Sequence, residues 1–213
     1  MEILQPLQHR RDAADGVVAL TFDDGPSDWT DPVLDLLAAH DSHGTFFVIG
    51  EAICSAEREQ SLRRIVGDGG EVGNHTFTHP QNVGELSAAA LREELRATTN
   101  RIESVTGVAP RFWRAPHFRS NLKARVVAAG LGLREAAASV IPEDYVWRAE
   151  RTADFVLRRL QRGDVVDLHD GRPRDEAAGG TAADREETVR ALELILEGMA
   201  ARGLRSVAIS KLG

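Results

Sequence analysis

The sequence contains one cysteine, Cys54, so no disulfide can form within the chain and nothing in it requires an oxidising compartment. Cys54 is expected to be a small buried hydrophobe. Positive charge is not in excess. The 26 basic and 33 acidic side chains leave a net charge of −7, and there is no basic stripe to follow a phosphate backbone, so nucleic acid is not an expected partner. No apolar run is long enough to span a bilayer. Residues Met1 to Gly16 carry Glu2, His9, Arg10, Arg11, Asp12 and Asp15 where a signal peptide would have its apolar core. A cytoplasmic location without membrane contact is the expectation. Internal linkers and repeats are missing too, and 213 residues suit one α/β domain whose core needs neither disulfide nor structural metal. Any metal here is expected to be functional.

What the sequence does have is organised around Thr21-Phe22-Asp23-Asp24-Gly25-Pro26. The preceding Val17-Val18-Ala19-Leu20 reads as a buried strand that stops at Gly25-Pro26. Neighbouring strand residues point to opposite faces, so only a bend there can bring Asp23 and Asp24 to one site. An ordinary Asx-type turn is the bland reading of that stretch taken alone.

Strands and helices then alternate. Helices are expected over 31–40, 56–68, 87–105, 121–129, 152–162 and 184–202, with strands at 44–50, 71–74, 110–117, 132–140, 164–171 and 206–210. Residues 172–183, rich in Gly, Pro, Ala and charge, read as an irregular loop. About seven strands interleaved with helices specify a parallel α/β domain over 17–213, after an N-terminal extension over 1–16. Asp23, Asp24, His75, His79, Arg114, Asp144 and His169 all fall at or just past strand carboxyl ends, where α/β barrels and open α/β sheets place their ligands.

His75 and His79 stand four positions apart, so their imidazoles can converge on one ion across a turn. A carboxylate from Asp24 or Asp23 completes two nitrogens and one oxygen with open positions, the ligand set of a catalytic zinc site. An ion so bound acidifies its water and polarises a carbonyl, which suits hydrolysis of an amide or ester. One aspartate can bind metal and the other accept the proton, with Arg114 holding that base. His169 is the best remaining acid, and Asp144 would favour its protonated form.

These residues carry a resemblance. Thr21 to Pro26, His75 to Pro80, Arg114-Ala115-Pro116, Asp144 and Leu168-His169-Asp170 resemble, in order, the motifs of the polysaccharide deacetylase family, the NodB-homology or carbohydrate esterase 4 group, and look closest to its chitooligosaccharide deacetylase branch. The resemblance covers Val17 to Leu212. It implies a distorted (β/α) barrel of about seven parallel strands and metal-dependent removal of an N-acetyl group from an N-acetylated sugar or oligosaccharide. It assigns Asp23 as base held by Arg114, and Asp24, His75 and His79 as ligands of a divalent metal, Zn2+ before Co2+, Ni2+ or Mn2+. His169 becomes the acid oriented by Asp144, and the backbone N–H after Pro116 an oxyanion donor. Substrate contacts are expected from Pro116, His117, Tyr145, Asp167 and Leu168.

This chain departs from the family pattern at three positions. His117 stands where an aromatic is usual, and Tyr145 where tryptophan is common. Asp167 replaces a leucine that lines the acetyl pocket. Either a bulge turns Asp167 away and Leu168 takes its role, or the pocket takes a more polar acyl group, or Asp167 pairs with a cation such as His117. A metal-dependent amidohydrolase on a small non-glycan amide, a facial-triad Fe(II) oxygenase and a non-catalytic glycan-binding relic are the alternatives. His9, His40 and His43 read as solvated or structural, Trp29 as core or a sugar-stacking platform. No motif specifies an oligomeric state.

Overall fold

The computed structural model describes residues 6–7, 16–173 and 185–212. Most of residues 1–15, nearly all of the irregular loop expected over 172–183, including 174–183, the expected helix start at Asp184, and His9 lie outside them. Among the described residues seven strands alternate with six α-helices: β1 (Val17–Asp23), α1 (Thr30–Ala39), β2 (Gly44–Val48), α2 (Ala56–Gly67), β3 (Glu71–Asn74), α3 (Ala88–Thr106) and β4 (Phe112–Trp113) come first. Then follow α4 (Leu122–Ala129), β5 (Arg134–Glu135), α5 (Ala149–Arg159), β6 (Val165–His169), α6 (Glu186–Ala200) and β7 (Arg205–Ser206). All ladders are parallel, in the order β5-β4-β3-β2-β1-β6, with β7 beside the start of β1.

The sheet curls far enough for its ends to meet. Just past β5 the chain crosses to β6, where the Asp167 N–H donates to Val140 O and Val140 bridges Val166. This distorted (β/α) barrel agrees with the sequence reading. Leu7, inside the expected N-terminal extension, is buried and bridges Ala136, so that part of the chain joins the sheet next to β5.

Side-chain parity decides what each strand gives to the interior. In β1, Val18, Leu20 and Phe22 pack outward against α1, α5 and α6, while Val17 and Ala19 enter an inner cluster with Phe47, Val165 and Ile209. The same parity sends Val166 and Leu168 of β6 outward. Asp23 pairs with His169 and Thr21 with Asp167 across β1 and β6, so the odd-numbered positions form the floor of one inner cavity.

Several elements are shorter or shifted against expectation, for local reasons. Beyond Ser206, the Ile209 N–H is taken by Thr45 Oγ1 and the Ser210 N–H by Glu71 Oε2, so β7 ends and a 3₁₀ turn follows. Helix α5 begins at Ala149, ahead of Thr152, because the Ala149 N–H is satisfied by Glu187 Oε2 of α6, a tertiary cap absent from the local sequence. Strand β5 is confined to two residues because the chain after it leaves β4 for β6. Cys54 is exposed, contrary to the buried placement expected: Ile53 takes the core position and Cys54 faces out at the turn before α2. Among the described residues no helix is long and apolar enough to cross a membrane.

Candidate active site

The first metal-ligand candidates come from two bends. After β1 the chain turns through Asp24, whose φ of 73° lies in the left-handed region. That turn reverses strand parity and lets Asp24 share a site with Asp23. After β3, Thr76 at φ 66° and His79 at φ 56° wind the chain so that His75 and His79 face each other. His75 Nε2 lies 3.4 Å and His79 Nε2 3.3 Å from Asp24 Oδ1. All three side chains are buried, and Asp24 Oδ1 has no hydrogen-bond partner.

A buried acceptor without a donor, facing two imidazole nitrogens, is costly unless a cation fills the space. The tautomer fits as well. His75 Nδ1 is 3.0 Å from Arg114 O, and since a carbonyl only accepts, Nδ1 carries the hydrogen and Nε2 keeps its lone pair. The donor set therefore suits a divalent ion. Burial works against the charge on Asp24, but the close imidazole of His75, with those of His169 and His79, holds its carboxyl well below the usual range. Burial, aided by charge on His75, pushes His79 down to about 4, so it is neutral and free to ligate at neutral pH. His75 is raised, because Asp23 and Asp24 outweigh its burial.

Arg114, fully buried, is met on every side. Its Nη1 donates to Thr21 Oγ1 and Asp23 Oδ1, each at 2.8 Å, and to Asp167 Oδ1 at 2.6 Å. Nε and Nη2 donate to Ala136 O and Ala137 O, and the guanidinium lies 4.2 Å from the Phe47 ring centroid. Asp167 faces inward on a regular strand. The cation it pairs with is Arg114, so neither a bulge nor pairing with His117 is needed to explain it. Burial and the charge of Asp23 push the Asp167 carboxyl up to about 7, against the pull of Arg114.

On β6, His169 Nδ1 donates to Asp144 Oδ1 at 2.8 Å, and the His169 N–H donates to Asp144 Oδ2 at 2.9 Å. Thr188 of α6 donates its hydroxyl to the same Oδ2 at 2.9 Å. Burial disfavours the imidazolium, yet Asp144 overrides it and raises His169 to about 10, so the ring is protonated at neutral pH. The Tyr145 ring sits edge-on to it, 5.2 Å between centroids.

These groups surround one cavity of about 280 Å³, floored by Asp23, Asp24, Asp167 and His169. His75 and His79 form one wall, and His117, Tyr145 and Ile141 stand at the outside. Arg114 and Asp144 act from behind the lining. Two expected substrate contacts are corrected. Leu168 packs outward against the helices, because Asp167 and His169 take the inner face on either side of it. Pro116 is buried and does not line the cavity; the 3₁₀ turn it starts presents His117 and Phe118 instead. Trp29 is half-buried beside α1 and also outside the lining. Sequence reading missed Thr188, Phe118, Ile141 and Arg185, which reach the site through tertiary packing and carry no motif of their own.

Residues 10–136 match the family model described as polysaccharide deacetylase. A chitooligosaccharide deacetylase of Bradyrhizobium sp. (strain ANU 289) is 37% identical over 190 residues, covering 87% of this chain and 85% of that protein. The family 4 carbohydrate esterase of Streptomyces lividans, solved with acetate, superposes with a TM-score of 0.78 at 30% identity, over 91% of this chain and 93% of that one. A family 4 acetyl xylan esterase of Clostridium thermocellum, solved with a cobalt ion, superposes at 0.79 and 27% identity, over 92% and 89%.

Proposed function

The chain belongs to the polysaccharide deacetylase family, and on that premise we propose that it hydrolyses the N-acetyl amide of an N-acetylated amino sugar or chitooligosaccharide. One observation carries the reading: the Asp24, His75 and His79 ligand atoms converge beside a carboxylate, Asp23, and a protonated imidazole, His169, around a single cavity.

In this reading Asp24, His75 and His79 hold a divalent ion, zinc being the best match to two imidazoles and one carboxylate, with cobalt, nickel or manganese as substitutes. Such an ion supplies Lewis acidity toward the amide oxygen and acidifies water. Asp23, oriented by Arg114, takes the proton of the attacking water as its oxygen bonds to the carbonyl carbon. The backbone N–H of His117 serves the oxygen that gains charge. His169 gives its proton to the amide nitrogen as the C–N bond breaks, leaving acetate and a free amine. Tyr145 and His117, at the outside of the cavity, take the sugar. We place this chemistry in the cytoplasm, which cell fractionation tests.

The test is mass spectrometry of an N-acetylglucosamine oligomer series treated with zinc-reconstituted protein and with an Asp23→Asn control. Loss of 42 mass units, about one acetyl for hydrogen, by the wild type alone supports the reading; no loss from any oligomer with metal bound refutes it. Asp167 favours a second reading, in which the acyl group carries a hydroxyl. Its carboxyl at the cavity floor offers a hydrogen bond that a methyl group cannot use. Faster release of glycolate than acetate from matched N-acylglucosamines would support it, and the reverse order would remove it.

A further inference from the structure

Arg185 lines the same cavity and belongs to none of the sets described above. It stands immediately before α6, at 5% exposure, and its Nε–H donates to Gly171 O at 2.7 Å. Among the described residues that is its one hydrogen bond, and no carboxylate pairs with it. Neither nearby acid pairs with it: the oxygens of Asp144 serve His169 and Thr188, and Asp170 Oδ2 accepts from Thr30 while its Oδ1 has no partner among the described residues.

A buried cation is ordinarily surrounded by acceptors, as Arg114 is by two carboxylates, a hydroxyl and two carbonyls. Among the described residues Arg185 has one carbonyl. With Nε anchored on Gly171 the guanidinium plane is fixed, and the edge left over carries Nη1 and Nη2. Two parallel N–H groups on that edge match the two oxygens of a carboxylate. A phosphate dianion would call for more positive charge than one guanidinium on a floor that already holds Asp23 and Asp24.

We propose that Arg185 is a substrate-binding residue that takes a carboxylate carried by the sugar, so that acidic N-acetylated sugars are favoured over neutral ones of equal size. This narrows the substrate class of the N-deacetylation proposed above and rests on that reading.

The experiment compares zinc-loaded wild type, Arg185→Gln and Arg185→Lys on N-acetylmuramic acid, its methyl ester and N-acetylglucosamine. The wild type should prefer the free acid to its ester by about tenfold or more in kcat/KM, the worth of a charge-assisted hydrogen bond. Arg185→Gln should bring that ratio close to one, mainly through KM, and Arg185→Lys should keep part of it. Equal rates on acid and ester by the wild type, or an unchanged ratio in Arg185→Gln, would overturn the assignment. If Arg185→Gln does not fold, calorimetric binding of acid and ester to zinc-loaded Asp23→Asn protein gives the same comparison with Arg185 intact. Acetate released from the neutral sugar without advantage for the acid counts against Arg185 alone. Acetate from none of the three, with acid bound more tightly than ester, counts against deacetylation alone.

Discussion

Asp23 and Asp167 accept hydrogen bonds from the same nitrogen of Arg114, Nη1, at 2.8 and 2.6 Å. One guanidinium is thus held between two buried carboxylates from adjacent strands. The pull of Arg114 on Asp167 is exceeded by burial and by the charge of Asp23, so Asp167 keeps its proton up to about pH 7. The two aspartates differ in what surrounds them: Asp23 lies beside the Asp24, His75 and His79 cluster, with His75 Nε2 at 3.7 Å from its Oδ2.

That relationship makes stability depend on pH in a set direction. Asp167 has a folded pKa of about 7, above an unfolded value near 3.8, so its contribution is fully present below the unfolded pKa and is lost as pH rises through the folded one. In metal-free protein, Asp167→Asn should remove this dependence. Relative to wild type, the variant should gain stability between about pH 4 and 8, by at most a few kcal/mol. Urea midpoints across that range check it, and a gain toward low pH would contradict the sign.

Asp23→Asn should retain metal and lose about 10² to 10⁴ in kcat, the usual worth of a general base. It also removes one charge that raises Asp167, so Asp167 should then ionise at lower pH. Single-turnover rates with measured metal content test the first part. Unchanged turnover would end the assignment of Asp23 as base.

The hydrogen bond from His169 to Asp144 predicts a pH profile. His169 is raised to about 10 by Asp144 despite burial, and an acid must hold its proton when substrate binds. Asp144→Asn should move the alkaline limb of kcat/KM down by about one unit or more, toward the ordinary histidine value near 6.5. An alkaline limb that stays in place would mean that His169 does not set it.

His79→Ala removes one of three convergent ligand atoms and leaves Asp24 Oδ1 facing His75 alone. Metal retained after dialysis, read by plasma mass spectrometry, should fall by about tenfold or more, since the remaining donors are a single nitrogen and a carboxylate. Wild-type metal content would exclude His79 from the ligand set.

The strand-end positions of Asp23, Asp24, His75, His79, Arg114 and His169 were legible because a parallel strand announces itself as a short apolar run, and the residue after the run marks the catalytic rim. The convergence of His75 with His79 was foreshadowed by their spacing, although the bends at Thr76 and His79 that produce it leave little local signal. Other features depended on partners remote in sequence. Leu168 was expected to touch substrate alongside Asp167, and strand parity sent it to the helices once Asp167 stayed on a regular strand. The start of α5 depends on Glu187, and Arg185 reaches the cavity through Gly171, contacts that no window of neighbouring residues contains.

Gly171 offers a way to disturb the metal ligands without touching them. A Cβ built on it would lie 2.1 Å from Asp24 O and 2.5 Å from Gly25 N, both backbone atoms that cannot rotate aside. Its own N–H donates to Asp23 O at 3.2 Å, so the turn after β6 is pressed against the turn after β1. Gly171→Ala must therefore push the two turns apart, moving Asp24 away from His75 and His79. Overpacking of this kind costs about 1–3 kcal/mol in stability, and the displacement should weaken metal binding as well. Gly107→Ala is the control for simply adding a methyl group, because nothing lies within 4 Å of a Cβ there, although its φ of 73° adds backbone strain. A chelator competition should show metal affinity falling in Gly171→Ala and holding in Gly107→Ala even if both lower the melting temperature. Equal loss of affinity in the two would mean that general destabilisation, and not the contact between these turns, governs the placement of Asp24.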